Sequence, residues 1–150
     1  MQLRRLLVAT LTWFLPSALL AQTGPVDRLE ILGRLAIGES PSYVAHLVKV
    51  HAFTFSPDGH FLSQVRQAGG EGILVQRLQS APAPARPERF SATSISVDHL
   101  ANCAELVHTQ LFEEADAECR KSIEENPLSP WPLLATALLE SPWVRAGQSD

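Results

Sequence analysis

VDHLANCAELVHTQLFEEADAECRKSIEENP, residues Val97 to Pro127, carries the clearest helical periodicity in the chain. Leu100, Ala101, Ala104, Val107 and Leu111 recur at the spacing of one helix face, with Cys103 beside them. A first helix is therefore expected from about Val97 to His108, with Ser96 or Asp98 placed to cap its start. Phe112, Ala115, Cys119, Ser122 and Ile123 form the apolar stripe of a second helix, from near Leu111 to about Asn126. Its first turns carry Glu113, Glu114 and Asp116, and Arg120 and Lys121 come later, which suits the helix dipole. Asp116 and Arg120 stand one turn apart, in position for a surface ion pair. Pro127 ends this helix, because it has no N–H to donate and its ring clashes with the preceding turn. Ser129-Pro130 then reads as an N-cap and first-turn proline opening a third helix over Trp131 to Glu140.

The segment LFEEADAECRKSIEENP resembles the second half of a tetratricopeptide repeat, a helix–turn–helix unit of about 34 residues. Phe112 stands at the repeat's aromatic after the turn, Ala115 at its small packing residue and Ser122 at its second alanine, followed by Ile123 and the terminal Pro127. The first helix departs from the pattern. His99, Asn102 and Cys103 replace an aromatic, a leucine and a glycine, and Gln110 stands where the turn glycine is expected. The resemblance covers about one repeat, and it implies a helical hairpin used for binding other proteins. One such unit cannot bury its own apolar face. Leu133, Leu134, Ala137 and Leu138 of the third helix are expected to cover one side of it. The other side falls to the preceding region, to a partner or to another copy of the chain, so a homo-oligomer is compatible with the pattern.

Cys103 and Cys119 are the chain's two cysteines, and each lies eight positions from Leu111 at the turn. In an antiparallel hairpin that symmetry brings them to the same height along the two axes, which predicts a structural disulfide. The spacing lacks the Cys-X-X-Cys arrangement of a redox pair.

The region before the hairpin reads as β-rich. Val26 to Ile37 fits a short helix somewhat better than a strand, weakened by Gly33. Gly38 to Ser42 is a break. Tyr43 to Phe55 is dense in β-branched and aromatic residues, which favours a strand. Ser56-Pro57-Asp58-Gly59 has the chemistry of a hairpin turn, His60 to Val65 would return as its partner, and Ile73 to Leu78 would add a third strand. Phe53 to Gly70 faintly resembles the C-terminal hairpin of TonB-type energy transducers, which implies contact with a partner through strand edges; the helix expected next in that family is missing. Ser80 to Arg89, SAPAPARPER, alternates proline with small residues and separates what lies on either side.

Met1 to Ala21 has the plan of a secretory signal: Arg4 and Arg5, an apolar run from Leu6 to Leu15, and small residues at Ala18 and Ala21 before Gln22. Cleavage is expected between Ala21 and Gln22. The run is shorter than the about 20 apolar residues of a membrane span. Loss of Arg4 and Arg5 leaves 10 basic against 16 acidic residues, net −6. That balance argues against nucleic acid and anionic lipid as partners. His46, His51, His60, His99 and His108 are scattered without metal-ligand spacing. No nucleophile elbow, phosphate loop or zinc-protease motif is present.

The expectation is an α+β chain: signal peptide 1–21, β-rich region 22–79 as a small antiparallel meander, proline-rich linker 80–90, a tetratricopeptide-like hairpin with a closing helix over 91–145, and a tail 146–150. Its expected role is non-enzymatic, with no cofactor and no metal: protein association in the cell envelope, periplasmic or secreted. The alternatives are an accessory domain that binds through its strands and a small exported enzyme.

Overall fold

The computed structural model describes residues 25–82, 94–142 and 144. Over these residues the chain folds into seven helices: α1 (Arg28–Ala36), α2 (Pro41–Val50), α3 (Gly59–Gln67), α4 (Ile73–Gln79), α5 (Ser94–His108), α6 (Phe112–Glu125) and α7 (Pro130–Leu139). The expected meander is absent from the described residues, where β pairing is limited to one isolated parallel bridge, Val26 with Phe53. The α+β expectation is thus overturned: Phe53 to Gly70 forms a loop and α3 instead of a hairpin.

Capping chemistry accounts for the difference. Ser40-Pro41, read as a break, opens α2: the Ser40 side chain accepts the Tyr43 N–H, and Pro41 occupies the first turn, where its missing N–H costs nothing. Asp58, read as a hairpin-turn residue, caps α3 and accepts the Phe61 N–H at 2.8 Å. That backbone bond, with the Arg28 guanidinium at 2.9 Å, holds the Asp58 carboxyl below its ordinary range. The buried apolar residues of α2, α3 and α4, which replace the three supposed strands, are Val44, Ala45 and Val48; Phe61, Leu62 and Val65; and Leu74, Val75 and Leu78. Each set follows i, i+1, i+4, the stripe of a short helix, and tertiary burial overrides the β propensity of the valines. The β-rich composition serves packing elsewhere: Phe53, Phe55 and Phe61 stack edge to face at 5.6 and 5.0 Å, and Arg28 lies over Phe55 at 5.0 Å.

Helices α1, α3 and α5 end in the same way. Gly38, Gly69 and Gln110 have φ of 81°, 81° and 64°. Their N–H groups bond the carbonyls of Leu35, Arg66 and Val107 at 3.0 Å each. The next residues, Glu39, Gly70 and Leu111, reach back to Arg34, Val65 and Leu106 at 2.9, 2.8 and 2.8 Å. This paired closure satisfies the orphan carbonyls of a helix end and needs a left-handed residue at its apex. The three turns reverse the chain into successive helix pairs, α1/α2, α3/α4 and α5/α6.

Those pairs share one core. Helix α5 packs against α6, α1 and α3, α7 packs on α6 and α1, and α2 lies on α4. Ile31, Leu32, Phe61, Leu74, Leu78 and Leu100 are among the side chains wholly removed from solvent. The segment before residue 82 and the hairpin after residue 94 therefore cover each other. Residues 83–93, which hold most of the proline-rich linker, lie outside the described residues, as do residues 1–24.

Candidate association surface

Helix α7 is apolar nearly all round, so two stripes compete for the interior. The sequence reading gave Leu133, Leu134, Ala137 and Leu138 the covering role. The structure turns the helix the other way: Pro132, Ala135, Thr136 and Leu139 are buried, while Leu133, Leu134 and Leu138 are 49%, 49% and 40% exposed and Ala137 faces solvent. The reason is fit. The inner stripe is built of smaller side chains, and Gly33 on α1 lets α7 approach closely: a Cβ at Gly33 would lie 2.3 Å from the Trp131 Cβ. Trp131 is also held from above by the Arg34 guanidinium, 4.7 Å from its ring centre. Arg34 is in turn fixed by Glu30 at 2.8 Å and Glu39 at 3.0 Å. At the other side of α7, Arg120 pairs with Glu140 and, within α6, with Asp116 at 2.8 Å, the pairing expected from the sequence.

The result is an uncovered apolar stripe about one and a half turns long, and Leu128, just before α7, is 92% exposed. Other exposed apolar side chains are spread over α2 (Tyr43 and Val50), α4 (Ile73) and α5 (Ile95).

The remaining sequence-marked residues lie inside or beside the α5–α6 seam. Cys103 and Cys119 are bonded, with Cα atoms 5.3 Å apart, and both are fully buried. Ala115 and Ser122 are fully buried, Phe112 and Ile123 half-buried, and Pro127 is exposed. Ser122 reaches further than a packing role: its hydroxyl donates to the Ser96 carbonyl at 3.0 Å, tying α6 to α5. Ala21 and Gln22 fall outside the described residues.

Sequence reasoning passed over three polar features. On the outer seam Glu118 accepts from Lys121 at 2.6 Å, His99 at 2.7 Å and Asn102 at 3.4 Å. Burial pushes the Glu118 carboxyl up, but these three donors outweigh it and hold it at about 2. Between α3 and α5, Asp98 accepts from Gln64 at 2.6 Å and His60 at 3.2 Å. A cleft of about 420 Å³ lies where the three left-handed turns meet, with Leu35, Val107 and Phe112 among its apolar walls and Glu39 and His108 at its rim. Glu39 is held there by Arg34, and the His108 ring rests against Gly69, where a Cβ would fall 2.6 Å from Nδ1. The i, i+3 and i, i+4 spacings of Asn102, His99 and Cys103 were the available signal for the seam cluster. Nothing in the sequence pattern linked Asp98 to α3.

Among the described residues, no group of three or more His, Cys, Asp or Glu side chains is placed to hold a metal ion. Nor is any described helix long and apolar enough to cross a membrane. No protein-family model, curated protein or solved structure matches the chain.

Proposed function

We propose that this chain is an exported, non-enzymatic protein whose tetratricopeptide-like helices, α5 to α7, mediate protein association in the cell envelope. The outer face of α7 is the docking surface, and its occupant is an apolar helix of the partner. The observation that carries this reading is the stripe of Leu133, Leu134 and Leu138, half-exposed side by side on one helix. A contiguous apolar patch on a small soluble domain marks an interaction site more often than scattered single residues do. Its form suits helix-on-helix recognition, in which one apolar helix face packs against another. The signal-like N-terminus supports export, and the buried Cys103–Cys119 bridge is compatible with an oxidising compartment.

Two measurements test the reading. Mass spectrometry of the chain recovered from the periplasm of an expressing bacterium should find a new N-terminus at Gln22; an intact Met1 overturns export. Quantitative pull-down with the wild type and the Leu134→Glu variant should show a stoichiometric protein retained by the first and lost by the second. Equal retention by both removes α7 from the function.

A further inference from the structure

We propose that the cleft between the three left-handed turns is a binding site for a small organic amine, an ammonium group carried on a short apolar body. Size and walls come first. At about 420 Å³ the cleft lies at the lower end of the range of small-molecule sites. It draws on all three helix pairs: Leu35 and Pro41 from the first, Ala68 and Gly69 from the second, Val107 and Phe112 from the third. Leu35 and Ala68 are buried and Val107 and Phe112 half-buried, so an apolar body finds contact on several sides.

Charge selects the ligand. Among the described residues that line the cleft there is no lysine or arginine, and Glu39 supplies the carboxylate. Both Glu39 oxygens accept from Nη1 of Arg34 at 3.0 Å, which fixes the carboxylate in place. That guanidinium is shared with Glu30 at 2.8 Å, so a single positive charge serves two carboxylates and the cluster stays net negative beside the cleft. The backbone adds the same sign. Helices α1, α3 and α5 all end here, and a C-terminus is the negative end of a helix dipole. The starts of α2 and α6 lie beside them with the opposite sign, and Glu113 and Glu114 in the first turn of α6 offset the second of these. A carboxylate ligand would meet Glu39 and three helix ends of its own sign. A bare metal ion would find too few donors, since among the described residues no group of three or more His, Cys, Asp or Glu side chains is placed to hold one. The ammonium group therefore belongs at Glu39, with its apolar body in the space walled by Val107 and Phe112.

Titration of the isotope-labelled processed chain with phenethylamine, followed through its backbone amides by two-dimensional NMR, tests the site. Saturable shifts are expected at Gly38, Gly69, His108 and Gln110, with half-saturation at about 1 mM. Phenethyl alcohol, of the same shape without the charge, should bind about fivefold more weakly, and phenylacetate should not saturate. Glu39→Gln, with a thermal melt to show that it is folded, should weaken the amine by a similar factor and leave the alcohol unchanged. The comparison of ligands on the wild type needs no variant, so it decides the matter even where Glu39→Gln fails to fold. Absence of saturation by the amine up to about 10 mM overturns the site. Equal affinity for amine and alcohol, or for the wild type and a folded Glu39→Gln chain, overturns its assignment to an amine.

Discussion

At the scale of single residues, position decides whether a glycine or a carboxylate helps or harms. Gly33 sits inside α1, where replacement by alanine ordinarily gains about 1 kcal/mol of helix propensity. Here the added Cβ would meet the Trp131 Cβ at 2.3 Å and its Cγ at 2.7 Å. Overpacking of this kind costs about 1–3 kcal/mol and cannot be relieved by a side-chain rotation. Gly33→Ala should therefore lower the urea midpoint, while Gly59→Ala, with nothing within 4 Å of the new Cβ, should not. Equal midpoints for the two variants would show that α7 is not seated on α1. Glu118 gives the corresponding prediction in pH. Its carboxyl titrates at about 2 in the fold against an ordinary 4.5. The ionised form therefore contributes stability that is fully present above pH 4.5 and is lost as pH falls through about 2. Glu118→Gln should flatten that part of the acid-unfolding curve, and an unchanged slope between these limits would remove the seam cluster from the stability of the hairpin.

At the scale of elements, the α5–α6 hairpin was the legible part of the chain. Its apolar spacing, the proline at its end and the symmetric cysteines placed both helices to within a few residues of where they stand. Gln110 even marks the left-handed turn position where glycine was expected. The short helices were illegible for a physical reason: α2, α3 and α4 run 10, 9 and 7 residues, too brief for periodicity to outweigh composition. Their caps were visible but ambiguous, since Ser-Pro and Pro-Asp-Gly serve helix starts and turns alike. On α7 the ambiguity lay in the helix itself, because two apolar stripes are equivalent until Gly33 selects the smaller one. The bridge within the legible hairpin should contribute about 3 kcal/mol by closing a loop of 16 residues in the unfolded chain. Cys103→Ser with Cys119→Ser, or reduction of the native chain after unfolding, should lower stability by about that amount. A change well under ~1 kcal/mol would show that the loop-closure account fails here.

At the scale of the whole molecule, the proline-rich stretch divides the sequence without dividing the core. Helix α5 is sandwiched between elements from before and after it: α1 and α3 on one side, α6 on the other. Separating the chain near residue 89 would expose Ile31 and Leu32 of α1 and Leu100 of α5, all wholly buried in the intact fold. At about 1.5–3 kcal/mol for each such side chain, the loss is comparable to the 5–15 kcal/mol that holds a small domain folded. Residues 22–89 expressed alone should therefore lack a cooperative thermal transition, and so should residues 90–150 with their disulfide intact. Mixing the two should restore it, because α1 and α3 then regain the α5 and α7 neighbours they pack against. A cooperative melt from residues 22–89 in isolation would contradict the shared core. The same experiment bears on function: if the halves reassemble, a partner bound through α7 should return with the transition and not before it, since α1 supplies the Gly33 seat that turns Leu133, Leu134 and Leu138 outward.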